Sequence, residues 1–429
     1  MTIAVLGLWH LGCVTAACLA EAGFQVLGFD RDRDLVAHLD QAEPPIAEPG
    51  LEDLLRKGLD SGRLRFSDAL AEAARADLVW ICYDTPVDQD DQADTESVLA
   101  EAEAVFSLMP EGAIMVLSSQ LPLGSAWELE RRFAARHPGR NLSVACVPEN
   151  LRLGKALEIF RHPDRIVAGV RDEAARLKLG EVLGRFTDNI IWMSVESAEM
   201  VKHALNAFLA LSVTYINELA GLCERFGANG FEVESGLKSD VRIGPRAYLH
   251  PGPAFAGGTL ARDVSYLVRM GQGADLPLPL ISSIAESNSQ HAGWPRRRLG
   301  EVFGNLTGVR VTVLGLTYKP GTDTLRRSEA VTTCRWLVSH GAEVRVYDPA
   351  VPIPRPELPP EISITNDPVK ALAQAQAVLI YTGWEEIMSL EPEVFATAMD
   401  TPLVLDPGRL LPRLAQDKRI RYLTVGIGA

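Results

Sequence analysis

The chain begins with short apolar runs separated by stretches of helical periodicity. Ile3–Leu6, Gln25–Phe29, Leu78–Cys82, Ile114–Ser118 and Leu142–Val147 have the length and composition of buried strands. Leu11–Ala22, Glu52–Gly58, Ala69–Ala76, Thr95–Leu108 and Ser125–Ala135 lie between them and read as helices. This alternation predicts a parallel sheet covered on both faces. From Ser197 to Phe226 the pattern changes to one long, proline-free helix with recurrent apolar positions, suited to a spine and a dimer surface. A loop rich in Gly and Pro follows, RIGPRAYLHPGPAFAGGTLARD, and then more helix from Val264 to about Gly300. Alternation resumes with strands at Val309–Gly315, Glu343–Tyr347, Ala377–Tyr381 and Leu403–Asp406 and a helix at Ser328–His340. The expected fold is α/β: two Rossmann-like, doubly wound domains joined by a long central helix. Its parts are 1–195, a helical dimerisation region at 196–300, and 304–429. The two α/β halves show no obvious sequence repeat.

The first turn carries candidate chemistry. In GLWHLG, Gly7 and Gly12 occupy the first and third glycine positions of the dinucleotide fingerprint G-x-G-x-x-G. Asp30 ends the second strand, where a carboxylate accepts hydrogen bonds from the ribose of NAD and repels the 2′-phosphate of NADP. Trp9 stands where the second glycine would let the backbone approach the pyrophosphate, so the turn is expected to bind NAD through a reshaped approach.

Composition narrows the classes. With 429 residues the chain is long enough for two or three domains. A net charge of −14 argues against a broad nucleic-acid surface, while leaving room for a local basic pocket. The six cysteines form no C-x-x-C pair and lie mostly in apolar runs, the usage of a reducing cytosol. No Lys or Arg precedes Arg31, which speaks against a secretory leader, and no uninterrupted apolar run approaches a bilayer span. A cytoplasmic protein without a metal centre and without a membrane partner is expected.

Later motifs converge. VTVLGLTYKPGTDTLRRSEAV (Val311–Val331), followed by GAEVRVYDP (Gly341–Pro349), resembles the signature V-L-G-L-x-[FY]-K-P-x-T-D-D-x-R-E-S of the UDP-glucose/GDP-mannose dehydrogenase family. EPGL at Glu48–Leu51, Thr85-Pro86, VPENLRLG at Val147–Gly154, PDRIVAG at Pro163–Gly169, the spine with Lys202, Asn206 and Asn217-Glu218, and RIG at Arg242–Gly244 match as well. The resemblance implies an NAD domain, a dimer spine and a C-terminal domain holding a nucleotide sugar, whose C6 alcohol the family oxidises twice. It places Gly7, Trp9, Gly12, Asp30, Thr85 and Gln120 on the cofactor, and Arg242, Lys319 and Arg326 on the nucleotide sugar. Lys202 and Asn206 would polarise the reacting oxygen, Asp263 would order a water, and Glu149 and Thr259 would complete the centre.

The centre departs from the family pattern. The family's G-F-G-G-S-C-F-P-K-D reads AFAGGTLARD here, which sets Thr259 on the cysteine that forms the thiohemiacetal and thioester. A threonine hydroxyl is a weak nucleophile without a positioned base. In the family's P-E-F-L-R-E segment Leu153 replaces the second glutamate, and in S-T-L-P-x-G Gln120 replaces the threonine. The resulting expectation is an NAD-dependent oxidoreductase acting on a UDP- or GDP-sugar and limited to one two-electron alcohol oxidation or a redox epimerisation. The alternatives are a complete four-electron dehydrogenase with a rebuilt centre, or a non-catalytic nucleotide-sugar-binding homologue.

Overall fold

Eight strands form one sheet in the first part of the chain: β1 (Thr2–Leu6), β2 (Gln25–Phe29), β3 (Leu64–Ser67), β4 (Leu78–Ile81), β5 (Ile114–Leu117), β6 (Ser143–Cys146), β7 (Ile166–Gly169) and β8 (Ile190–Met193). This is a computed structural model, and it describes residues 1–73, 75–86, 93–149, 151–351 and 355–428. The chain divides into two units, Met1–Leu205 and Asn206–Ala429.

In the first unit the strand order is β3-β2-β1-β4-β5-β6-β7-β8. The first six strands are parallel, with Ile3 opposite both Val26 and Leu78. Side chains alternate across this sheet as strand geometry requires: Ile3 and Val5 pack into one apolar layer, Ala4 and Leu6 into the other. The strands read from the apolar runs are parallel as expected; beyond them the sheet continues with two strands the pattern did not show, β7 antiparallel to β6 and β8 parallel to β7. PDRIVAG is thus part of a reversed strand.

The second unit contains β9 (Arg310–Leu314), β10 (Glu343–Tyr347), β11 (Ser363–Ile364), β12 (Ala377–Ile380), β13 (Leu403–Leu405) and β14 (Arg421–Leu423), in the order β11-β10-β9-β12-β13-β14 and all parallel. Its first three strands and the crossover to β12 repeat the winding of β1 to β4. The sequence hides this repeat because the matching positions share only their apolar character.

The spine is a single helix, Val195–Phe226. By length and composition it is long and apolar enough to cross a bilayer, which counting uninterrupted apolar runs does not reveal. It also carries the buried polar side chains of Glu199, Lys202, His203, Asn206, Ser212, Thr214 and Asn217, as suits a helix packed in protein. The helical stretch expected from Val264 to about Gly300 consists of three helices: Thr259–Gly273, Pro279–Ala292 and Trp294–Phe303. Pro279 and Pro295 stand at the N-terminal positions of the last two, where a missing N–H costs nothing. The first begins at Thr259, so the last five residues of the expected loop are helical.

Candidate functional site

The glycine turn after β1 is built tightly. Gly7 has φ of +91°, and a Cβ there would fall 2.7 Å from the Tyr83 Cα. A Cβ on Gly12 would overlap the Gly7 carbonyl oxygen. These are the steric demands of the first and third fingerprint glycines. The second position makes no such demand. Trp9 has φ of −83°, ordinary for an L-residue, and its side chain is 46% exposed instead of packed inside the turn. Asp30 accepts the Leu8 N–H at 2.8 Å on Oδ2 and the Asp32 N–H at 3.1 Å on Oδ1. Each carboxylate oxygen retains a lone pair for a ribose hydroxyl. The turn therefore fits a dinucleotide, with an indole at the rim where the backbone is usually bare.

One connection near this turn escaped the sequence reading. Glu48 of EPGL is buried, and its Oε2 accepts the His10 Nε2–H at 2.9 Å and the Gly154 N–H at 2.7 Å. Its Oε1 accepts the Ala156 N–H at 2.8 Å. The carboxylate thus ties the first turn of the helix His10–Glu21 to the end of VPENLRLG. Glu48→Gln sets an amide NH2 against N–H donors, and we expect a loss of about 1–3 kcal/mol, read by urea denaturation.

Thr85, Gln120, Glu149 and Lys202 lie around one region of the first unit. The Thr85 hydroxyl donates to the Gln120 carbonyl oxygen at 2.7 Å. A recess lined by Ser119, Gln120, Cys146, Glu149, Glu199 and Lys202 opens beside it. The Lys202 ammonium donates to the Glu149 carbonyl oxygen at 2.5 Å and to its Oε1 at 3.2 Å. Glu199 was not anticipated. It is buried and accepts the N–H groups of Gly124 and Ala126 at 2.8 and 2.9 Å, capping the helix Ser125–Arg136. Burial lifts its carboxyl above the ordinary glutamate range, against the lowering by those two donors.

In the second unit, Asn206 Nδ2 donates to Asp263 Oδ2, and Asp263 is fully buried. Thr259 opens the helix Thr259–Gly273 one turn before Asp263, and it is exposed. All six cysteines are buried. Burial pushes Cys13, Cys18 and Cys334 up to about 12 and raises Cys82 and Cys146 as well. Among these five, then, the thiolate is suppressed. Cys146 lines the recess with Lys202, but it does so as a thiol.

Lys319 and Arg326 sit on the loop after β9. Gly315 opens this loop with φ of +85°, and a Cβ there would fall 2.6 Å from the Thr382 nitrogen. The buried Asp348, at the end of β10, accepts the N–H groups of Leu316 and Thr317 at 2.7 and 3.0 Å and the Trp384 indole N–H at 3.1 Å. This repeats the relation of Asp30 to Leu8. The Lys319 ammonium lies 5.4 Å from the Tyr318 ring centroid, and Arg326 is exposed. Arg242 is on a different segment, exposed, and held by Asp240 through bonds of 3.0 and 2.7 Å. Among the described residues, no group of three or more His, Cys, Asp or Glu is placed to hold a metal ion.

Three family models match the chain. That of the UDP-glucose/GDP-mannose dehydrogenase family NAD binding domain matches residues 1–187, its central domain 196–290 and its UDP binding domain 312–413. The UDP-glucose 6-dehydrogenase of Rhizobium meliloti is 34% identical, over 99% of this chain and 99% of the relative. That of Pseudomonas aeruginosa is also 34% identical, over 100% and 97%. The structure of a UDP-glucose dehydrogenase from Pyrobaculum islandicum superposes with a TM-score of 0.85 at 34% identity, covering 100% of this chain and 98% of that one.

Proposed function

Because the chain belongs to the UDP-glucose/GDP-mannose dehydrogenase family, we propose that it performs a single two-electron oxidation of one carbinol of a nucleotide sugar, or a redox epimerisation. NAD, when bound, accepts the hydride. A UDP-linked sugar is the first choice, supported by the UDP binding domain match and by the named activities of the relatives.

What supports this reading is Thr259 where the family pattern has its cysteine, together with the burial that keeps Cys13, Cys18, Cys82, Cys146 and Cys334 protonated. Lys202 has two acceptors on Glu149, which leaves one ammonium proton to stabilise a developing alkoxide. Asp263 fixes the amide of Asn206, so that its orientation is set before substrate arrives. Neither role needs a thiol. The oxidation of an aldehyde to a carboxylate does need a covalent or hydrated intermediate, and both Thr259 and Leu153 disfavour it.

The test is product stoichiometry. UDP- and GDP-sugars are incubated with NAD, and NADH is counted against sugar consumed. One NADH per sugar with a carbonyl product, or a new epimer without net NADH, is expected. Two NADH per sugar with a uronic acid would establish a rebuilt four-electron centre. Nucleotide-sugar binding without NAD binding would identify a non-catalytic homologue.

Phe208, Tyr215, Leu222 and Phe226 form an exposed stripe at intervals of about two turns, then one, on the spine helix. We take this stripe as the surface where two copies of the chain meet. Light scattering is expected to give twice the 46.7 kDa chain mass.

A further inference from the structure

The loop that carries Lys319 and Arg326 also carries Arg327, which the proposed oxidation leaves without a part. Arg327 has φ of +59°. A non-glycine residue held there costs on the order of 1 kcal/mol and persists only where its surroundings enforce it. The next residue supplies part of that constraint: the Ser328 hydroxyl donates to the Leu316 carbonyl oxygen at 2.5 Å and accepts the Val331 N–H at 3.2 Å. The Arg327 side chain then runs along the glycine turn before Thr259. A Cβ on Gly257 would lie 2.5 Å from Arg327 Cδ and 3.1 Å from Nε, and one on Gly258 would lie 3.6 Å from Nη1. The side chain therefore crosses the two glycines that precede Thr259; a Cβ on Gly257 would collide with its stem, and one on Gly258 would only touch the guanidinium.

The charge of this region differs from the signature quoted above. T-D-D-x-R-E-S reads TDTLRRS here, so Thr324 replaces an aspartate and Arg327 a glutamate. Arg262, in the first turn of the Thr259 helix, replaces a lysine, and its Nε is enclosed. The turn has lost a thiol and gained a planar, permanently charged group suited to a carboxylate.

We propose that Arg327 is a specificity-determining residue, selecting a nucleotide sugar with a carboxylate at the end facing Thr259, a nucleoside-diphosphate uronate, over a neutral hexose. This rests on the nucleotide-sugar reading above. A uronate has no oxidation left to undergo at C6, so a site built for it has no use for the missing cysteine. The carbinol that gives up hydride is then one of the ring.

Calorimetry on the full chain tests the proposal, with UDP, UDP-glucose and UDP-glucuronate as probes, and with the GDP series if GDP binds in place of UDP. The wild type is expected to bind the uronate about ten-fold or more tighter than the hexose. Arg327→Glu should abolish or reverse that preference and Arg327→Ala should erase it, while Arg327→Lys retains part. The affinity for the free nucleotide should stay unchanged throughout. Thermal melts of each variant show whether it is folded, and Arg327→Ala serves if the glutamate variant is not. Equal affinities for the two sugars in the wild type, or an Arg327→Ala variant that keeps the uronate preference, overturn the proposal while nucleotide binding stands. If neither UDP nor GDP binds, the nucleotide-sugar reading fails and takes this inference with it.

Discussion

Gly12→Ala is expected to abolish NAD binding and to destabilise the first unit by about 3 kcal/mol, the upper range for overpacking a tight site. The added methyl would overlap the Gly7 carbonyl oxygen. Gly7 has little room to retreat: its N–H is bonded to the Phe29 carbonyl at 3.0 Å, and Tyr83 lies 2.7 Å from where a Gly7 Cβ would stand. The Leu8 N–H is held by Asp30 as well. Relief must come from opening the turn between β1 and its helix, which is where the pyrophosphate would lie. Gly23→Ala is the control. Gly23 has φ of +102° but nothing within 4 Å of an added Cβ. It should cost only the conformational penalty, about 1–2 kcal/mol, and leave NAD affinity intact. Urea denaturation and NAD titration of the two variants separate the steric effect from the dihedral one.

How far the sequence reveals this molecule depends on what each residue's signal consists of. The central strands were legible because both their faces are buried, giving short unbroken apolar runs: Gln25–Phe29 and Glu343–Tyr347 begin and end where the pattern places them. Leu64–Ser67 and Arg421–Leu423 were not, since they mix exposed and buried positions over three or four residues, and neither was Ile190–Met193, which has no fully buried position. Gly7, Gly12 and Asp30 were legible because their spacing is dictated by a turn of fixed geometry. Glu199 carries no comparable signal, and Glu48 was legible only as part of EPGL, not in its role. Each acts by collecting backbone N–H groups, from residues 106 and 108 positions away for Glu48 and 75 and 73 for Glu199. Long-range partners of that kind leave no periodicity. Trp9 is intermediate. Its identity signalled a departure, and only the backbone dihedral shows that the departure leaves the turn unstrained.

Lys202→Met is expected to lower kcat by about 10²–10³-fold with little change in thermal stability. The substitution keeps the hydrophobic stem in its place on the spine helix and removes only the ammonium. What is lost is two bonds to Glu149 and, under the proposed role, the proton donor toward the reacting oxygen. The Glu149 carboxylate is partly open to solvent, so water replaces the lost partner and the fold is little affected. Asn206→Ala should behave differently. Asp263 is fully buried, and removing the amide deprives a carboxylate that water cannot reach of a donor. Activity and stability should therefore fall together, the latter by about 1–3 kcal/mol. A structural role for Lys202 would show as a lowered melting temperature with kcat preserved. A role in the oxidation shows as the reverse, with substrate affinity little altered, because the developing alkoxide that the ammonium serves is absent from the ground state.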